Sequence, residues 1–168
     1  MTWQDYSAHK RVDPTCLPAL VQQLRQQGLK IATLNGSFDL LHAGHLFMIY
    51  EASKTADKLI IALNTDRSVQ SYKGPTRPII PLAYRMEMLT GLAFVDYVTW
   101  FDESDPRELL KIIRPDVHVN GMEYGEDCIE AGVVREVGAS LHLVPRIPGL
   151  ATSQILEKIQ NPNDQKCV

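Results

Sequence analysis

A short, largely apolar run, Ile31-Ala32-Thr33-Leu34, gives way to Asn35-Gly36-Ser37-Phe38-Asp39. It passes His42-Ala43-Gly44-His45 and resumes as Leu46-Phe47-Met48-Ile49-Tyr50-Glu51-Ala52. The first run has the length of a buried strand and the last has the helical period, so the segment reads as strand, tight turn and helix. A helix start presents unpaired N–H groups and the positive end of the peptide dipole, a setting that suits phosphate. Two imidazoles three residues apart can reach the same anion, and Gly44, lacking Cβ, lets a ligand close on the backbone. The placement, directly after a strand and opening a helix, gives the short H-x-G-H pattern its weight. The arrangement suits a nucleoside triphosphate.

Around this unit, strands and helices alternate. Strand-like runs are Lys30 to Leu34, Lys58 to Leu63, Tyr97 to Phe101, Val117 to Val119 and Ser140 to Val144. Helix-like runs are His45 to Thr55, Leu82 to Ala93, Pro106 to Ile113, Asp127 to Val137 and Thr152 to Ile159. Such alternation predicts an α/β fold: a Rossmann-like, doubly wound parallel sheet of about five strands with helices on both faces. Residues 1–29 are expected to be an arm, irregular to about Val12, followed by a helix from Pro14 to Gln27 that Gly28 ends. Residues 30–160 form the domain that carries the site, and 161–168 read as a frayed tail.

Ligands of open parallel sheets bind outside the carboxyl ends of the strands. Strand one ends in Asn35-Gly36, and strand two in Asn64-Thr65-Asp66, which also reads as a helix cap. Strand four ends in Asn120-Gly121 followed by Glu123 and Tyr124. Strand five ends in Pro145-Arg146, followed by Gly149 and by Thr152-Ser153 at a helix start. The segment Lys73 to Pro81 holds three prolines and the cations Lys73 and Arg77, with no periodicity, and reads as a functional loop. Arg85 follows on the next helix.

The chain of 168 residues carries a net charge of −3, which argues against a nucleic-acid partner. A local basic set in an acidic chain suits a small anionic substrate. Cys16, Cys128 and Cys167 are scattered, so neither a disulfide framework nor a metal site is indicated. No signal-type apolar core opens the sequence and no run approaches the ~18 apolar residues of a membrane span. The expectation is a cytoplasmic protein with no membrane partner.

The phosphate-binding loop G-x-x-x-x-G-K-[ST], the dinucleotide fingerprint and a convincing Ser/His/Asp set are all missing. Paired histidines at a helix start, with cations from elsewhere, suit in-line displacement at the α-phosphorus of a nucleotide, with pyrophosphate leaving. Mg²⁺ is expected to bridge the phosphates, held by nucleotide and water rather than by a protein cage.

From about Lys30 to Ile159 the chain resembles the H-x-G-H nucleotidyltransferases related to cytidylyltransferases. Within them it is most similar to the heptose 1-phosphate adenylyltransferases of lipopolysaccharide core synthesis. The likeness rests on Asn35-Gly36, Phe38-Asp39, His42-Ala43-Gly44-His45, Asn64 to Val69, Lys73-Gly74, Arg77-Pro78-Ile79, Pro81-Leu82, Arg85, Val95 to Val98, Arg114-Pro115-Asp116 and Asn120-Gly121 with Glu123-Tyr124. The resemblance implies transfer of AMP from ATP to a heptose 1-phosphate, with His42, His45, Lys73 and Arg85 as catalytic residues. It implies nucleotide contacts from Gly36, Ser37, Phe38, His42, Gly44, His45, Asn120, Gly121, Glu123, Arg146, Gly149, Thr152 and Ser153. Substrate contacts would come from Asn35, Asp39, Lys73, Arg77 and Arg85. A homodimer is implied, with a separate sugar kinase and a phosphatase in the same pathway. Two positions depart from the pattern: Ser37 replaces the usual Cys, and Ala151 replaces the first hydroxyl of Gly-x-Ser-Thr-Thr. The alternatives are a glycerol-3-phosphate cytidylyltransferase, towards which Arg146 tilts, and a non-catalytic nucleotide-binding domain.

Overall fold

A computed structural model describes residues 2–147 and 151–160. The expected frayed tail, 161–168, lies outside the described residues. Five strands, β1 (Ile31–Gly36), β2 (Lys58–Asn64), β3 (Tyr97–Phe101), β4 (Val117–Gly121) and β5 (Ser140–Val144), form one sheet in the order β3-β2-β1-β4-β5. Every neighbouring pair is parallel. Strands buried on both faces need apolar residues at successive positions, which is what Ile31 to Leu34 and Leu59 to Leu63 supply. Alternate residues then serve different cores. Ala32, Leu34, Leu59, Ile61 and Leu63 pack with Ile49 and Ala52 of α3 (Ala43–Ser53) and with Met86 and Leu89 of α5 (Leu82–Thr90). Ile31, Ile60, Ala62 and Phe101 pack with Leu17 and Leu24 of α2 (Leu17–Gln26) and with Leu109 and Ile113 of α6 (Arg107–Ile113). The sheet is doubly wound, as expected.

The chain runs β1, β2, β3 towards one edge and then returns to set β4 beside β1. That reversal is the topological switch point, and it opens a crevice between the carboxyl ends of β1 and β4. Further helices include α4 (Asp66–Lys73), α7 (Ala131–Glu136) and α8 (Thr152–Gln160).

Three local expectations are corrected. The arm up to Val12 contains a helix, α1 (Trp3–Ala8), started by a capping box: Thr2 Oγ1 accepts from Asp5 N, and Asp5 Oδ2 from Thr2 N. The arm then seals the edge of β3, with Val12 N donating to Val98 O and Val98 N to Lys10 O. The helix expected from Asp127 begins only at Ala131. Lys73 does not sit on the proline-rich loop; it is the last residue of α4, whose start Thr65 caps by accepting from Ser68 N at 3.1 Å.

Candidate active site

The turn after β1 is held in shape by its own side chains. Phe38 has a left-handed backbone, φ 44°, and its buried ring lies so close to Gly36 that a Cβ there would sit 3.2 Å from Cε2. A side chain at 36 would make the Phe38 ring give way by a few tenths of an ångström. His42 caps α3, its Nδ1 accepting the Gly44 N–H at 3.1 Å. Since Nδ1 accepts, the neutral ring must carry its proton on Nε2, which leaves a fixed donor. His45 stacks on His42 at 3.9 Å between ring centroids and meets the edge of Phe38 at 5.3 Å. Burial and the Arg146 charge hold His42 below its ordinary value, and burial together with His42 pushes His45 down to about 4. Both rings are neutral donors at pH 7.

These rings line a cavity of about 380 Å³ together with Asn35, Gly36, Ser37, Phe38, Gly44, Lys73, Arg77, Asn120, Glu123, Arg146, Thr152 and Ser153. Met48, Tyr124, Pro145, Ile147 and Ala151 complete its lining. Lys73 Nζ donates to Ser37 Oγ at 2.9 Å, and burial with neighbouring Arg77 lowers its pKa. Arg77 pairs through Nε with Asp39, while its Nη2 has no protein partner. Gly149 lies outside the described residues.

Three expected site residues stand elsewhere. Arg85 is fully buried beneath the turn. It donates to the carbonyls of Ile80, Ser37 and Asn64 and to Asp66 Oδ1, so its guanidinium ties the ends of β1 and β2 to the proline-rich loop. It holds the backbone of the site in place and does not line the cavity with the histidines. Asp39 is also buried, at 1% exposure, and accepts from Ile79 N, Ile80 N and Arg77 Nε. Burial alone would raise this carboxyl, but those partners hold it below the usual carboxylate range. Its oxygens serve the loop, and it does not line the cavity with the histidines. Gly121 is buried behind the lining, where a Cβ would collide with the Glu123 carboxylate. It makes room for Glu123.

A second cavity, of about 460 Å³, opens beside the first and shares Asn35, Gly36, Ser37, Lys73, Asn120 and Tyr124 with it. Tyr72, Ser104, Cys128, Ile129 and Glu130 also line it. Sequence reasoning missed all five. Glu130 falls inside the run expected to be helical from Asp127, and in the structure it directly precedes α7.

Residues 33–161 match the family model described as cytidylyltransferase-like. The "Bifunctional protein HldE" of Methylobacillus flagellatus is 42% identical over 161 residues, which cover 93% of this chain and 33% of that protein. The protein of the same description from Hahella chejuensis is 39% identical, covering 86% of this chain and 30% of that one. The chain thus spans about a third of the length of these curated relatives. Among solved structures, a lipopolysaccharide core biosynthesis protein from Thermoplasma volcanium superposes with a TM-score of 0.58 at 25% identity, over 71% of this chain and 98% of that one. A pantoate-beta-alanine ligase from Francisella tularensis, at 16% identity and TM-score 0.61, covers 90% of this chain and 76% of its own; it shares the fold.

Proposed function

The chain belongs to the cytidylyltransferase-like family, and we propose that it is an adenylyltransferase moving AMP from ATP to D-glycero-β-D-manno-heptose 1-phosphate, with release of pyrophosphate. The observation that carries this reading is the stacked His42–His45 pair, neutral and with the His42 proton fixed on Nε2, in one cavity with Lys73, Arg77 and Arg146. The nucleotide takes that cavity with its phosphates over the start of α3. A phosphate oxygen of the acceptor attacks the α-phosphorus in line, a new P–O bond forms, and the bond to the β-phosphate bridging oxygen breaks. Negative charge grows on the equatorial and leaving oxygens. His42 Nε2–H and the Lys73 ammonium, with Arg77 beside them in the lining, stabilise it. Ser37 and Phe38 shape the pocket, and Thr152 and Ser153 at the start of α8 close it.

Among the described residues no group of three or more His, Cys, Asp or Glu could hold a metal, and Glu123 is the carboxylate lining the nucleotide cavity. So thin a donor set fits Mg²⁺ that arrives on the triphosphate, with Glu123 as its protein contact. The ion would supply charge neutralisation at the departing pyrophosphate.

The heptose acceptor is supported by the relatives' identity over most of this chain and by the second cavity beside the first. A sugar kinase must supply such a substrate, and a phosphatase belongs to the same proposed pathway. A homodimer acting in the cytoplasm belongs to the same proposal, carried by the family resemblance; no helix of the described residues is long and apolar enough to cross a membrane. The test is pyrophosphate release over a matrix of ATP and CTP against heptose 1-phosphate and glycerol 3-phosphate. ATP with the heptose phosphate is expected to turn over. Turnover confined to CTP with glycerol 3-phosphate would overturn the reading, and ATP binding with no turnover would favour a nucleotide-binding domain without catalysis.

A further inference from the structure

At the switch point, the ends of β1 and β4 each present an asparagine, and both asparagines grip one carboxylate. Asn35 Nδ2 donates to Glu130 Oε1 at 3.3 Å and Asn120 Nδ2 to Oε2 at 3.2 Å. The Asn120 amide is fixed in this sense because its own Oδ1 accepts from Gly121 N at 2.9 Å. Glu130 is 5% exposed, and among the described residues no lysine or arginine forms an ion pair with it. Both oxygens of this buried carboxyl accept from neutral amides, and each keeps a lone pair free. That residue lines the second cavity, whose shared wall with the first carries Lys73.

The second cavity is therefore polarised: cationic where it joins the nucleotide cavity and anionic at Glu130. Resting on the adenylyl-transfer reading above, we propose that Glu130, clamped by Asn35 and Asn120, determines acceptor specificity. It selects a phosphomonoester whose far end carries neutral hydroxyls. The phosphate sits at Lys73 and the hydroxyls donate to the free lone pairs of Glu130. A second anionic group at the far end meets the carboxylate and is rejected, so attraction to the right acceptor and repulsion of the wrong one come from the same side chain. A bare alkyl phosphate leaves the carboxylate without a donor and also binds weakly.

Calorimetry of the full chain with a non-hydrolysable ATP analogue tests this. The probes are heptose 1-phosphate, the same sugar bearing a second phosphate on its far carbon, and ethyl phosphate. The wild type is expected to prefer the monophosphorylated sugar to either other ligand by about ten-fold or more. Glu130→Gln should lose about ten-fold on that sugar and gain affinity for the bisphosphorylated one, with affinity for the ATP analogue unchanged. Glu130→Ala should narrow the same ratio. A gain of binding cannot come from a misfolded variant. An unchanged ratio in Glu130→Gln, or no discrimination by the wild type, would overturn the proposal. Pyrophosphate release by the wild type judges adenylyl transfer separately: preference without turnover defeats that reading and leaves Glu130 as the selector.

Discussion

At the scale of single residues, the site is built from side chains whose freedom has already been spent. His42 uses one ring nitrogen to cap α3 and has only the other to offer a ligand. Arg85 and Asp39 looked like ligand-binding groups because their charges suit a phosphate site, yet each is consumed holding the turn and the loop in place. Sequence gives a residue's charge but not whether a backbone carbonyl or amide has claimed it first. His45, stacked on His42, remains available to the transition state. Replacing it by Ala should lower kcat by roughly 10²–10³, the usual loss for one preorganised donor, with a smaller change in ATP affinity. Steady-state kinetics beside calorimetry would separate the two. A kcat within three-fold of wild type in the folded variant would remove His45 from the reaction.

At the scale of elements, most of the fold was legible. Short runs rich in apolar residues marked all five strands, and β3 and β5 match their expected bounds because Tyr97 to Phe101 and Ser140 to Val144 are sharply bordered. Two short helices were not legible. α1 spans six residues, and α4 buries only Ser68 and Val69, so neither shows an apolar period. Missing α4 put Lys73 on the wrong element, whereas a helix end makes its approach to Ser37 a fixed one. The loop after it, residues 74–81, depends on Asp39. The Ile79 and Ile80 N–H groups both bond Oδ1, so Asn in its place keeps its oxygen for them and turns its NH2 towards Arg77 Nε. That nitrogen loses its acceptor and its charge partner, a loss of about 3 kcal/mol or more for a buried ionic partner. Asp39→Asn should therefore free the loop. The amides of Ile79 and Ile80, protected in the wild type, should exchange much faster, and the KM for ATP should rise as Arg77 drifts. Unchanged exchange at both amides would mean that the loop is held by something other than Asp39.

At the scale of the whole molecule, the sheet contains one polar pair that no part of the proposed reaction uses. Thr33 and His118 face each other across β1 and β4, Oγ1 to Nδ1 at 2.9 Å, both buried, one pleat below the Asn35–Asn120 clamp. His118 Nε2 has no partner. Protonating the ring would place an unpaired N–H in the core, and burial pushes its pKa down to about 4. In the unfolded chain the same histidine titrates near its ordinary value of ~6.5. Between those values the unfolded state binds a proton that the folded state refuses, so stability falls as pH drops from about 6.5 to about 4. The contribution of His118 to that fall is about 3 kcal/mol. His45, displaced in the same direction, adds to the slope. Replacing both members of the pair by apolar residues, Thr33→Val with His118→Leu, removes a titrating group without leaving a buried polar atom unpaired. Urea unfolding at pH 7 should change little in this double variant, whereas at pH 4.5 it should be more stable than the wild type. Parallel stability–pH curves for the two proteins would show that His118 takes up its proton equally in the folded and unfolded states, contrary to its placement in the sheet.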